Sequence, residues 1–168
     1  VSNWFRTYGF GQILPELLIG AYPVDQSDVG MLEWIGVRHV LNLVEDAEYR
    51  PGERATIEKA FAAAGIDEER LELIDYGGLP LDQLDHAVAT VNHWIDTGTR
   101  TYLHCRAGWQ RSAAVAAGVV ALRKGLCIDD ALDFVQSQKP SADPLPHQRD
   151  DLRHWWERRG GQPARRAS

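Results

Sequence analysis

Cysteine is scarce in this chain: only Cys105 and Cys127 occur in 168 residues. Two cysteines cannot build the framework of a disulfide-stapled domain, and neither belongs to a Cys-x-x-Cys pair. The histidines show no metal-site spacing, so neither a metal nor a cofactor is expected. Long apolar runs are missing too. The longest, Ala113 to Leu122, has ten residues, well short of the roughly 20 that a helix needs to cross a bilayer. No positively charged segment followed by an apolar stretch opens the sequence, so no leader is read in it. A basic face is also lacking. The formal net charge is -6, which argues against bulk nucleic-acid binding but not against a local anion site.

What is present suits one globular domain. The length allows one proper core and is tight for two. Residues 1–160 are read as that domain. Residues 161–168, with the basic stretch from Pro163, are read as a disordered tail. Apolar residues make up 44% of the chain, and six tryptophans promise aromatic packing without implying a ligand site.

The chemistry is concentrated in His104-Cys105-Arg106-Ala107-Gly108-Trp109-Gln110-Arg111-Ser112. An apolar run, Thr101 to Leu103, precedes it, and an Ala-rich helical run follows. A strand-to-helix switch of this kind is how a chain builds a phosphate cradle. Backbone N–H groups from Arg106 to Arg111 can point inward as a nest, and the N-terminus of the next helix adds positive potential. Arg111 offers a planar fork for two phosphate oxygens, which lysine cannot supply. The same surroundings favour the thiolate form of Cys105, the nucleophile. A nucleophilic thiol must stay reduced, which points to a cytoplasmic setting.

Strands are expected at Leu17–Gly20, Arg38–Val44, Leu71–Ile74 and Thr101–Leu103. Helices are expected over 28–35, 53–64, 81–95, 112–123, 128–138 and 147–158, with Gly36 and Gly65 as stops. A Pro-rich hinge (Pro140, Pro144, Pro146) leads to the last helix. The alternation predicts an α/β domain whose mainly parallel central sheet is flanked by helices. The cysteine loop then leaves the C-terminal end of a central strand, where open α/β sheets bind their ligands.

Thiolate attack on a phosphate monoester releases an alkoxide or phenoxide that needs a proton. Asp75 is the leading general acid, since it ends an expected strand and precedes a Gly-Gly loop. Asp82 and Asp85 are alternatives, read otherwise as helix-start and solvated positions. Ser112 either donates a hydrogen bond toward the Cys105 sulfur or caps the helix. His104 is expected to hold the loop, not to act as a base, and Gly108 to adopt a conformation that a side chain opposes. Trp109 and Gln110 are candidate pocket walls. Cys127 is read as a packed cysteine, with a redox partnership to Cys105 as the alternative. Asp46, Glu48, Tyr49 and Arg50 form either a pocket rim or a solvated loop.

These residues resemble the cysteine-dependent protein tyrosine phosphatase superfamily, specifically its small dual-specificity branch. His104 to Ser112 matches the signature His-Cys-five residues-Arg-Ser, and the likeness spans about residues 14 to 158. The resemblance implies a phosphocysteine formed on Cys105, phosphate and transition-state binding by Arg111, and proton transfer by Asp75. It also implies help from Ser112 in breaking down the intermediate. A looser likeness, through Asp75 to Asp82 and Glu45 to Tyr49, is to the mitochondrial phosphatidylglycerophosphate phosphatase group. Trp109 and Gln110 depart from the basic or small polar residues common there, leaving Arg106 as the one further cation in the loop. The implied substrates are phosphotyrosine, with phosphoserine and phosphothreonine, or alternatively a phospholipid headgroup. A phosphate-binding module without turnover is the third reading. Peripheral membrane contact and oligomeric state stay open.

Overall fold

In the computed structural model, which describes residues 1–161, five strands pair in the order β1-β2-β5-β3-β4. They are β1 (Phe10–Leu14), β2 (Leu17–Gly20), β3 (Val37–Asn42), β4 (Asp67–Arg70) and β5 (Arg100–His104). β1 and β2 are antiparallel, and all other pairs are parallel, which agrees with the expected mainly parallel sheet. Adjacent residues of the inner strands are buried on opposite faces. Leu17, Ile19, Leu41 and Leu103 point into the larger apolar cluster, while Leu18, Val40 and Tyr102 point into the smaller one. Burial on both faces is why the centres of these strands, Leu17–Ile19, Val40–Leu41 and Tyr102–Leu103, are apolar at consecutive positions.

The helices are α1 (Asn3–Tyr8), α2 (Gln26–Trp34), α3 (Glu53–Ala64), α4 (Leu81–Asp96), α5 (Arg111–Lys124), α6 (Ile128–Gln138) and α7 (Pro146–Arg158). α3 and α5 end at Gly65 and Gly125, both left-handed, the usual way to stop a helix. α6 carries Asp129 and Asp130 in its first turn, and α7 starts with Pro146; both suit helix N-termini. α5 is buried from Arg111 to Ala121. Alanines and Gly118 keep it slim enough to run through the larger cluster beside α4, α6 and α7.

Two features depart from the sequence reading. α1 and β1 were not expected, since Asn3–Leu14 shows neither period for more than a turn. The strand expected at Leu71–Ile74 lies earlier, at Asp67–Arg70, where four charged residues pair with β3. This is the sheet edge, where charged side chains deter pairing with another chain. Leu71 and Leu73 still donate N–H bonds to Asn42 and Leu43 carbonyls, at 2.9 and 3.1 Å. Their apolar character therefore marks burial beside β3 and not the regular ladder. The tail expected at 161–168 falls, after Gly161, outside the described residues.

Candidate active site

Gly20, His104 and Asn42, the last residues of β2, β5 and β3, lie side by side in register. The loops leaving these strands therefore open onto one edge. Residues 105–110 connect β5 to α5 and wrap a pocket of about 70 Å³, lined by Cys105, Arg106, Ala107, Trp109, Gln110 and Arg111, with Asp75 and Tyr76 opposite. The thiol of Cys105 sits at its base, 3% exposed, with Ser112 Oγ 3.3 Å from Sγ.

The loop rests on glycine. Gly108 has φ +78°, and a Cβ there would stand 2.6 Å from the Gly20 backbone. Gly20 is equally constrained: its own Cβ would come within 2.5 Å of the Gly9 carbonyl and the Tyr102 hydroxyl. Two hydrogen bonds tie the loop down. Arg106 O accepts from the Tyr22 N–H at 3.1 Å, and Trp109 O from the Asp143 N–H at 2.6 Å. Trp109, 44% exposed, packs its ring edge-on against Tyr8, and the Arg106 guanidinium lies over Trp4. The unexpected α1 is therefore the outer support of the cysteine loop.

Arg111 is 1% exposed. Nη1 donates to Glu48 Oε2 at 2.8 Å and to the Leu73 carbonyl at 3.0 Å, and Nη2 donates to Glu48 Oε1 at 2.7 Å. Asp75 Oδ1 lies 3.2 Å from Nη2. Nε has no acceptor among the described residues. Glu48 thus grips the back of the fork, and Nε with the outer face of Nη2 is left for a ligand. Burial opposes charge on both partners, but it is outweighed. The Arg111 hydrogen bonds, the Glu45 N–H and the Arg111 and Arg106 charges hold the Glu48 carboxyl below its usual range. Glu48 and the neighbouring anionic groups raise Arg111.

His104 is fully buried, and burial pushes its imidazole down to about 4. It is neutral near pH 7, and Nδ1–H donates to the Cys105 carbonyl at 3.2 Å. The ring is thus bonded to the backbone at the start of the cysteine loop. Among the other sequence candidates, Asp82 lines a separate groove between α4 and α7. Asp85 accepts from Trp155 Nε1 at 2.6 Å and from Arg159 at 2.9 Å. Neither reaches the cysteine pocket. Tyr49 Oη accepts from Asn42 Nδ2 at 2.8 Å and Asp46 pairs with Arg70, but Asp46 and Arg50 are exposed and none of Asp46, Glu48, Tyr49 and Arg50 lines the pocket itself. Cys127 precedes α6, beyond the far end of α5. The 14 residues of α5 put it roughly 20 Å from the cysteine loop, too far for a disulfide without rearrangement.

Glu48 and Gly20 are the residues that sequence reasoning undervalued. Glu45-x-x-Glu48 has the spacing of a reciprocal cap, and half of it is formed: the Glu45 N–H donates to Glu48 Oε2 at 2.8 Å, while the Glu48 N–H donates to the Glu45 carbonyl at 3.0 Å. That signal locates a turn but not its guanidinium partner. Gly20 was legible only as the end of an apolar strand.

A thiol, a buried guanidinium and a carboxylate around one small pocket, at the C-terminal edge of a mainly parallel sheet, define a cysteine-based phosphatase architecture. The chain belongs to the dual specificity phosphatase catalytic domain family, whose model matches residues 18–158. It is 30% identical over 124 residues to the human phosphatidylglycerophosphatase and protein-tyrosine phosphatase 1, covering 73% of this chain and 58% of that protein. To human dual specificity protein phosphatase 8 it is 26% identical over 136 residues, 81% of this chain and 20% of that protein. The chain thus spans less than two thirds of the length of these relatives. The crystal structure of Tk-PTP in the active form superposes with a TM-score of 0.77 at 20% identity, over 89% of this chain and 97% of that one. PTPMT1 gives 0.75 at 23%, over 87% and 92%.

Proposed function

We propose that residues 1–160 form a phosphomonoester hydrolase domain of dual-specificity type. It acts on phosphotyrosine and on phosphoserine or phosphothreonine in proteins, through a phosphocysteine intermediate. The observation that carries this reading is the convergence of Cys105, Arg111 and Asp75 on one anion-sized pocket. The Cys105 thiolate attacks phosphorus, so that the S–P bond forms as the ester P–O bond breaks. Asp75 gives its proton to the departing oxygen. Nε and Nη2 of Arg111, with the N–H groups of residues 106–111, hold the equatorial oxygens where charge develops. In the second step Asp75 takes a proton from water, the water oxygen attacks phosphorus, and the S–P bond breaks. Ser112, 3.3 Å away, donates to the released sulfur.

Exposed Tyr76 and Trp109 on the pocket lining favour a leaving group with an aromatic or apolar body. The reduced thiol suits a cytoplasmic compartment. A lipid substrate is the second reading. It is favoured by the likeness to a relative named as a phosphatidylglycerophosphatase, and opposed by a rim on which Arg106 is the one cation among the lining residues besides Arg111.

The deciding measurement is phosphate release from a phosphotyrosine peptide, a phosphothreonine peptide, phosphatidylglycerophosphate and a phosphoinositide, with Cys105→Ser as blank. The expectation is turnover on the peptides that Cys105→Ser abolishes. A dominant kcat/KM on one lipid moves the assignment to lipid metabolism, and binding of a phosphopeptide without turnover makes the chain a phosphate-binding module. Arg111→Lys should lower kcat/KM on the order of 10²-fold or more, because the fork is lost although the charge remains. Asp75→Asn should cost roughly 10²-fold with poor leaving groups and far less with good ones. An equal loss with both would remove Asp75 from the acid role.

A further inference from the structure

The acid loop is held from a distance by the start of α7. His147 Nε2 lies 3.0 Å from the Tyr76 carbonyl and 3.1 Å from that of Gly77. With carbonyl acceptors on both sides, Nε2 must carry the proton. Gln148 is fully buried and spends both ends of its amide. Nε2 donates to Gly77 O at 3.2 Å, and Oε1 accepts from the Leu145 N–H at 3.0 Å. Asp151 Oδ2 accepts from the Leu79 N–H at 2.8 Å. Three side chains of α7 thus bind the backbone of three residues that follow Asp75.

The same segment reaches the cysteine loop. The Asp143 N–H bonds the Trp109 carbonyl at 2.6 Å, and Arg149 closes the turn through Asp143 Oδ1 at 2.7 Å and the Pro144 carbonyl at 2.8 Å. Pro144 and Pro146 restrict the backbone here, so the segment expected to be a hinge is a strap. Its far end is seated in the core through Leu152 and Trp155, 0% and 2% exposed.

Asp75 itself is also tied on the other side, its N–H to Glu45 Oε2 at 3.2 Å and its Oδ1 3.2 Å from Arg111 Nη2, but the residues after it would be expected to relax without the α7 contacts. Tyr76 has φ +59°, a left-handed conformation that is unfavourable for a non-glycine residue. Its side chain is 67% exposed, so packing does not hold it. The local turn supplies one bond, from the Gly77 N–H to the Ile74 carbonyl at 2.9 Å.

We propose that His147, Gln148 and Asp151 are positioning residues that hold the Asp75 loop closed over Cys105 before substrate arrives, with residues 143–151 setting the distance between acid and nucleophile. This rests on Asp75 being the general acid. Loosening the strap must then weaken proton donation and leave phosphate binding intact.

His147 is exposed, so His147→Ala should fold. The test compares phenyl phosphate, a poor leaving group, with dinitrophenyl phosphate, a good one. His147→Ala should lower kcat/KM for the first roughly tenfold, a fraction of what a general acid supplies. The change for the second should be less than about twofold, and KM for both should be little changed. His147→Gln, whose Nε2 can reach the same carbonyls, should restore most of the loss. Hydrogen exchange at residues 76–79 should quicken in His147→Ala and in Asp151→Ala. Equal losses on both esters, or wild-type kinetics with unchanged exchange, would overturn the proposal while leaving the phosphatase reading intact. If the wild type hydrolyses neither ester above the Cys105→Ser blank, both fall together.

Discussion

The Arg111 guanidinium has five N–H donors, and the fold consumes most of them before any ligand arrives. Glu48 takes one from each terminal nitrogen and the Leu73 carbonyl takes a third, which aims Nε and the rest of Nη2 at the pocket. Removing one partner of a buried ion pair is strongly destabilising, although Asp75 Oδ1, 3.2 Å from Nη2, keeps part of the countercharge here. Glu48→Gln should therefore destabilise the protein by about 2–3 kcal/mol in thermal or urea unfolding. Inorganic phosphate should stabilise the variant more than the wild type, because the anion supplies the missing countercharge. An unchanged Tm with equal phosphate shifts would show that Glu48 does not hold Arg111. The nine residues from His104 to Ser112 are contiguous, so their chemistry is legible in one stretch of sequence. Glu48 lies 63 positions from Arg111, and the Gly20 contact with Gly108 spans two strands. Only the strand order brings these pairs together, and nothing local announces it.

Elements were legible where one physical signal dominated. α3 and α6 carry an apolar stripe between clear stops and lie at the expected residues. β2 reads as an unbroken apolar run, and β3 and β5 are marked by their shorter apolar centres, Val40–Leu41 and Tyr102–Leu103, because both faces are covered there. β4 was displaced because its side chains answer to the solvent edge, and Arg54 from α3 pairs with Glu68 across it at 2.6 Å. The packing of α5 against α4 and α7 sets a sharper test. A Cβ at Gly118 would meet Val88 Cγ2 at 2.9 Å and Trp155 Cζ3 at 3.2 Å, whereas one at Gly30, inside α2, meets nothing within 4 Å. Gly→Ala in a helix interior gains about 1 kcal/mol of backbone propensity. In α2 that gain should stand alone, and Gly30→Ala should raise Tm by roughly 2–4 °C. In α5 overpacking costs about 1–3 kcal/mol, so Gly118→Ala should lower Tm although the substitution is identical. Shifts of the same sign would mean that α5 can move away from its neighbours.

For the whole molecule, the buried neutral His104 links stability to pH. Its imidazole titrates at about 4 in the folded chain because burial penalises the charged form, against about 6.5 when unfolded. Between those values the unfolded state binds the extra proton, so stability rises with pH across this window and is lost as pH falls through it. Above the window both states are neutral and the dependence ends. Glu48, whose carboxyl is held low, acts in the same direction, but only once pH falls below the ordinary carboxylate range. From about pH 5 to about pH 7 the His104 contribution changes while that of Glu48 does not, and linkage gives a His104 contribution about 2 kcal/mol smaller at the acidic end. Urea unfolding at the two pH values measures it directly. A His104→Asn variant, less stable in absolute terms after losing a buried ring that contacts Tyr102, should show a flatter pH dependence over the same interval. If the wild type were equally stable at both ends, His104 would have to be paired or hydrated when protonated. The loop above it would then open in acid, which would appear as faster hydrogen exchange at the amides of residues 105–111 at the acidic end.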